Sequence, residues 1–594
     1  MKKYIKIAGA LFFASLTAQS CLDFDDPGSE SGMNSAQTET TQYIGNIDTI
    51  PYLNQPTQEG VKAAIDTLNK YKYFNTALGG QYNIRGGKEG GMPAGHAYQR
   101  QYSLGPDLYA QYFTVPHKDF MYGTLTSTYN VSAEFNNGPL GAYTMAKNAI
   151  MPLLHHPMID SIPEMKAINL LYYCVTAQEQ ADLSGPYTYF EDKQNSEEPY
   201  EYNDVKSIYY SIVENLDTIV ACLNNYETRP DWYKEQIVNL MDAFCVTNRG
   251  MESDKSMKSY IKLANSLKLR MAMHIVKAEP GTAQKWAEEA VAGGVVENAY
   301  EQQGIFPFIS GFTHPLAEIA NAWNDLRLCA SFESLMMSLN HPYTKYLFKP
   351  NAYEITNGRT GEITETGTRI CGIRAGVLVG DSQNPALNKR LGYSTFGTTE
   401  IATAPLYFIK WAEVDFLRAE GALRGWSMGG TAQFFYERGI RNAYIEDPAA
   451  GSPYLSYVNE YMTLEEPVKY CNEDPIGDGE PWTSVTTIGV KWNDSDDNET
   501  KLEKIITQKY LALFPLSTEA WTELRRTGYP KLFPVLNTDD GDGSIEQGDM
   551  IRRIPWVPTD PVAAGMVDAS GISALGGADE QATRLWWDVD APNF

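Results

Sequence analysis

Residues 405–424 read as a helix that is apolar on two sides, and such a helix has to be packed between neighbours. Tyr407, Trp411, Val414 and Leu417 fall on one stripe, and Phe408, Ala412, Phe416, Ala419 and Leu423 on another. Residues 431–442 supply a partner helix. Three further pairs follow the same rule: 164–181 with 205–223, 256–276 with 283–292, and 499–513 with 518–525. In 256–276, Met257, Tyr260, Ala264, Leu267, Met271 and Ile275 recur every three or four residues, the mark of one buried face. Repeated helix–turn–helix units that need neighbours are the logic of a solenoid. The chain is therefore predicted to be mainly α, with four tetratricopeptide-like helix pairs resting on pairing rather than on a strict 34-residue consensus.

Long irregular segments separate the pairs. Residues 80–130 and 340–400 hold many Tyr among Gly, Asn and Thr, and residues 448–498 are rich in Pro, Gly and Asp. Loops of this length are functional or disordered, and their aromatic content argues against disorder. The chain as a whole has 38 Tyr and 11 Trp against 22 Phe, an excess of aromatics with a polar handle. Such side chains suit a wet binding surface, and they equally suit a Tyr-rich helical core.

The formal net charge of −26 disfavours a nucleic-acid partner, which requires Lys and Arg to replace counterions. Mean hydropathy is −0.36, and no apolar run reaches 18 residues. Residues 1–20 have the layout of a secretory signal: Lys2, Lys3 and Lys6, an apolar stretch from Ile7 to Ala18, then Ala18-Gln19-Ser20 before Cys21. Ending on Cys, this resembles a bacterial lipoprotein signal with Cys21 as the acylated residue, although Leu16 lies early and Gln19 replaces a small residue. An ordinary signal with a nearby Cys is the alternative. Residues 21–45 read as an acidic flexible tether, with no Lys or Arg between Leu22 and Val61. Residues 46–594 read as one helical domain carrying the loop subregions 80–130, 340–400 and 448–498.

Catalytic spacings are absent. There is no G-x-S-x-G elbow, P-loop or H-E-x-x-H motif, and His155-His156 are adjacent rather than one helical turn apart. Seventy-four acids offer too many carboxylate pairs for any of them to mark a glycoside hydrolase. Besides Cys21 there are Cys174, Cys222, Cys245, Cys329, Cys371 and Cys471, with no C-x-x-C pair. Buried free thiols are expected for most, and a disulfide stays open in an exported chain. Asp540, Asp542, Ser544, Glu546 and Asp549 have the spacing of a calcium loop. With Thr at its first position and no flanking helix, it reads better as a solvated acidic turn, so no metal and no cofactor is expected.

Six ordered stretches together resemble one known family. Residues 260–275 (YIKLANSLKLRMAMHI) are similar to its "ANSLKLRLAMRI" helix, and residues 408–423 (FIKWAEVDFLRAEGAL) to its "AEVxFLxAEAA" helix. Residues 506–514 with 520–530 (AWTELRRTGYP) resemble "IxxQKWxAL…EAWxExRRTGYP", and Asp182-Leu-Ser-Gly-Pro-Tyr187 resembles a worn "DxxGDxPY". Arg552-Arg553-Ile-Pro and Leu585-Trp-Trp-Asp588 also fit. The departures are His274 in place of an Arg, and Asn340-His-Pro-Tyr343 where Asp-Pro-Arg is usual. On these motifs the chain, from about residue 60 to its end, resembles the SusD/RagB family of outer-membrane nutrient-binding lipoproteins.

The resemblance implies a right-handed superhelical scaffold of four tetratricopeptide-like pairs with a loop-rich ligand face. It implies a lipid-anchored protein exposed at the surface of the outer membrane. There it would bind an oligosaccharide or polysaccharide and act as a lid on a SusC-like TonB-dependent transporter, without catalysis. A peptide ligand is the main alternative, and a surface glycoside hydrolase a remote one. Lys509, Arg525 and Arg526, with Glu413 and Glu420, are expected in buried ion pairs that fix helix packing rather than in ligand contacts. The ligand face is expected in loops 80–130 and 340–400, with Tyr98, Tyr102, Tyr112, Tyr122, Tyr353 and Tyr393 as candidate aromatic platforms. Arg85, Asn130 and Arg374 are their candidate polar partners, with loop packing as the alternative role for each Tyr.

Overall fold

The computed structural model describes residues 46–594 apart from 86–87, 90–91, 94, 118–128, 130–132, 195–200, 247–256, 306–312, 351–353, 357–359, 361–362, 367–368, 381–387, 446–451, 475–480, 539–540, 557 and 559–560. The signal, the tether and Cys21 lie outside the described residues, as do Tyr122, Asn130, Tyr353 and Asp540.

The protein is mainly α. Its helices of ten or more residues are α1 (Gln58–Lys70), α2 (Tyr73–Asn83), α3 (Ala133–His155), α4 (Pro163–Ser184), α5 (Val205–Asn225), α6 (Asp231–Phe244) and α7 (Met257–His274). They continue with α8 (Pro280–Gly293), α9 (Ala330–Leu339), α10 (Trp411–Leu423), α11 (Ala432–Arg441), α12 (Asn498–Leu513) and α13 (Ser517–Thr527). Local chemistry sets their ends. Asp204 caps α5 by accepting the Ser207 N–H at 2.9 Å, and Asp497 caps α12 by accepting that of Thr500 at 2.7 Å. Pro163 and Pro280 open α4 and α8. Gly528, at φ +79°, closes α13 in the left-handed region.

Helices α4 and α5, α7 and α8, α10 and α11, and α12 and α13 pack as pairs. Contacts of α5 with α7, α7 with α10 and α10 with α12 join these pairs into one array. The array extends at its amino end through α2 against α3 and α3 against α4. Helix α3 escapes a periodicity reading because its sequence carries two prolines and two glycines, residues that normally interrupt a helix. Every residue of α4 and α13 is buried, so each is a central element rather than a surface helix with one apolar stripe. A contiguous core runs from Ile47 to Trp587. No helix among the described residues is long and apolar enough to cross a membrane.

One boundary differs from expectation. The segment 405–424 is not helical throughout: Leu406–Ile409 form a strand that pairs antiparallel with Gln303–Ile305, and the helix starts at Trp411. Tyr407 and Phe408 are buried, but on the strand. A short run that is apolar on both faces has the same pattern in a buried strand and in a buried helix, so spacing does not separate them. Gly304 is required at this pairing, because a Cβ there would lie 2.4 Å from the Leu406 carbonyl oxygen.

Five of the six described cysteines are buried, Cys471 is exposed, and all six are free thiols.

Candidate ligand-binding site

Four of the six motif stretches converge on a buried ion network. Arg270 of α7 donates to both Glu413 oxygens, at 2.6 and 2.8 Å. Lys509 of α12 reaches Glu519 and Glu523 of α13, each at 3.0 Å. Arg526 pairs with Glu420 of α10 at 2.7 Å and is held by Glu523. His274 lies between Glu519 at 3.0 Å and Asp182 at 3.4 Å, with the Tyr209 hydroxyl 2.9 Å from Nδ1. All of these side chains are nearly inaccessible to solvent. His274, Glu519 and Glu523 lie close enough together to hold a metal ion, but Lys509 already supplies the cation to both carboxylates. These residues therefore bolt helices together, and the ligand face has to be sought elsewhere.

The four described Tyr candidates do not form a platform. Tyr98, Tyr102, Tyr112 and Tyr393 are at most 3% exposed. Tyr102 donates to the Ile84 carbonyl at 3.0 Å and to Glu179 at 2.9 Å, while Arg85 is ion-paired with Glu179. Arg85, Tyr98 and Tyr102 do meet, but around a small pocket of about 20 Å³, room for a single water rather than a sugar. Tyr112 is wedged among Phe332, Tyr510 and Phe514, with its hydroxyl on the Tyr510 carbonyl. Tyr393 gives its hydroxyl to Asp474. The physical reason is shared: a Tyr packs its ring in the core and satisfies its hydroxyl on a carbonyl or carboxylate. Arg374 lies apart from these, stacked on Trp482 and Phe533.

In the acidic turn, Asp542 is engaged internally, and Asp540 lies outside the described residues. Asp542 accepts from the Ser544 N–H at 2.9 Å and hydroxyl at 2.6 Å, and from the Gln581 N–H at 2.7 Å. Those donors engage both Asp542 oxygens.

Aromatic surface is presented instead by His96 and Trp323. Their rings stack at 4.6 Å with an interplanar angle of 25°; His96 is exposed and Trp323 half-buried. His96 sits on the short helix Gly95–Tyr98, and Trp323 just beyond the helix Leu316–Asn321. A Cβ on Gly95 would meet the indole at 2.7 Å, so only glycine lets Trp323 lie against that backbone. The two segments are clamped together. Asp325 accepts from Gln99 at 2.6 Å, three residues beyond His96, and lies 3.1 Å from His117 Nε2. Asn324 takes a left-handed φ of +62°, and its side-chain oxygen accepts from Arg327 at 3.0 Å. The Arg327 guanidinium is fixed in turn on the carbonyls of Ala320, Leu326 and Leu391. The aromatic pair is thus preorganised, with Gln99, Asn324 and the exposed Glu318 at its rim. A flat apolar face with amide and carboxylate groups beside it suits a sugar ring. Neither residue was singled out by the sequence reading, which followed the abundance of Tyr. The available signal was a Trp set among Asn and Asp, in Asn321-Ala-Trp-Asn-Asp325, outside any helical stripe.

The family model described as "SusD-like: Susd and RagB outer membrane lipoprotein" matches residues 59–588. The structure is similar to a chitin-binding SusD homologue from Flavobacterium johnsoniae, with 29% identity over 88% of this chain and 100% of that one and a TM-score of 0.74. It is similar to SusD homologues from Bacteroides vulgatus ATCC 8482 (25% identity, 89% and 100% covered, TM-score 0.74) and Bacteroides ovatus ATCC 8483 (26% identity, 88% and 99% covered, TM-score 0.70). No curated protein matches.

Proposed function

The chain belongs to the SusD-like family of outer-membrane lipoproteins, and from that membership we propose that it captures a glycan at the cell surface and passes it to a SusC-like TonB-dependent transporter. It does so as a lipid-anchored lid, held through Cys21 and a tether, and performs no chemistry on the ligand. The observation that carries the reading is the exposed, preorganised His96–Trp323 stack beside Gln99, Asn324 and Glu318. The chitin-binding homologue at 29% identity supports a glycan as the ligand class.

A glycan and peptide binding screen on the purified protein tests this. At least one oligosaccharide should bind and be recovered intact. Trp323→Ala should weaken it by about tenfold or more, as truncation of a central aromatic anchor does, with the melting temperature nearly unchanged. Binding of peptides alone, or glycan affinity indifferent to both Trp323→Ala and His96→Ala, would sink the proposal. The partner is tested separately. A lid needs an apposed surface above about 1,000 Å², so the protein should co-purify with a TonB-dependent transporter in mild detergent. Persistent isolation would favour a free surface-binding lipoprotein.

A further inference from the structure

Buried cations in this protein are matched. Arg229 meets Glu164 at 2.8 Å, Arg270 meets Glu413, and Arg526 meets Glu420. Arg327 and Arg525, which make no ion pair, are filled instead by carbonyl oxygens. Among the described buried guanidinium groups, Arg374 alone has neither arrangement. It is 7% exposed, Nε and Nη1 are buried without a hydrogen-bond partner, and Nη2 donates only to the Pro534 carbonyl at 3.2 Å. Its Cζ lies 4.2 Å from the Trp482 ring centre and 4.7 Å from that of Phe533. Two aromatic faces steady a guanidinium, but they donate no lone pairs to its N–H groups. Burial pushes its pKa down to about 10. A buried charge left without a counter-anion is costly, and no acid among the described residues pairs with Arg374.

The surroundings are those of a ligand face. Arg374, Trp482 and Phe533 bring together three irregular segments, and Trp482 is half-buried on a two-residue strand paired with Cys471–Asn472. Beside them an open cleft of about 340 Å³ is lined by Gly376, Val377, Leu378, Leu536 and Gln547, within the size range of ligand pockets. Its two walls are tied by the Leu536 N–H on the Ala375 carbonyl at 3.0 Å, next to Arg374. The strip that begins at Asp325 connects this cleft to the His96–Trp323 pair, because Cys329 bridges to Ile373.

We propose that Arg374 is the anion-recognising group of a second subsite, taking the carboxylate or sulfate of an acidic sugar whose ring lies on Trp482. The inference rests on the glycan-binding reading and specifies its substrate class. The unfilled N–H groups of this guanidinium are charge-assisted donors for the oxygens of such a group. The half-buried Trp482 lies on the face of that guanidinium.

Titration calorimetry of the purified protein with an oligogalacturonate, a sulfated chondroitin oligosaccharide and a neutral chito-oligosaccharide tests this and separates the two anions. One acidic oligosaccharide should bind about tenfold tighter than the neutral one. Arg374→Gln should abolish that preference while leaving neutral binding intact, and Arg374→Lys should restore only part of it. Equal affinity for acidic and neutral sugars in the wild type overturns the inference. So does a preference that survives Arg374→Gln, or an equal loss for all three sugars. If Arg374→Gln fails to fold, an undiminished preference in Arg374→Lys overturns it. Neutral binding alone defeats this inference and spares the glycan reading, whereas no glycan binding at all defeats both.

Discussion

Glu519→Ala is expected to destabilise the protein by about 3–5 kcal/mol, the cost of removing one partner from a buried charge cluster. Glu519 accepts from His274 and Lys509 at 3.0 Å, and Arg270 Nε lies 3.6 Å away. His274, Lys509 and Arg270 hold its carboxyl well below the usual range in spite of burial. Without it, His274, Lys509 and Arg270 lose their shared counter-charge in the buried interior and keep only Asp182, Glu523 and Glu413, respectively. Calorimetric unfolding of the variant should show a clear fall in melting temperature and enthalpy. A thermogram superimposable on the wild type would mean that water enters and solvates the cluster, and that the network does not fasten the helices.

His274 should make stability depend on pH on the alkaline side. Burial alone would push the imidazole down, but Glu519 and Asp182 outweigh it and raise its pKa to about 9 from the ordinary 6.5. The folded state therefore holds the proton more tightly than the unfolded chain. The resulting stabilisation, roughly 3 kcal/mol, is complete below about pH 6.5. It shrinks as pH rises and is lost once pH passes about 9. The experiment is the difference in melting temperature between wild type and His274→Gln, measured from pH 6 to 10. Asp107 and Glu333, both raised by burial to about 7, titrate in both proteins and cancel in the difference. A difference that stays constant from pH 6 to 10 would show that His274 is neutral in the fold. The position where this chain departs from the family's Arg thus keeps the positive charge only conditionally, because imidazolium can lose a proton in the working range and guanidinium cannot.

The helix pairs were legible because helical spacing is a local property. The recurrence of Met257, Tyr260, Ala264 and Leu267 needs no knowledge of what packs against them, and all four are buried on α7. Caps and stops such as Asp204, Pro163 and Gly528 act within a few residues and are equally readable. The expectation of buried ion pairs holds for Lys509, Arg526, Glu413 and Glu420, since charged residues inside apolar helices have nowhere else to go. It fails for Arg525, which is buried but makes no ion pair with the described residues, because the Asp182 and Arg552 carbonyls fill its guanidinium instead. The strand at Leu406–Ile409 was not legible, because both of its faces are buried and its partner lies about a hundred residues earlier in the chain.

The sequence by itself therefore determined the helical scaffold, the order of its pairs and the family to which the chain belongs. The tertiary structure alone decided which aromatics face solvent. Tyr98 and His96 are two residues apart on one short helix, yet one ring is enclosed by Tyr102 and His314 and the other lies open on Trp323. Exposure is settled by what distant segments deliver to the same place. Here those segments are Asp325, which clamps Gln99, and Glu179, which engages Tyr102 and Arg85. No local pattern of residues encodes such a meeting, because it depends on the completed packing of helices far apart in the chain.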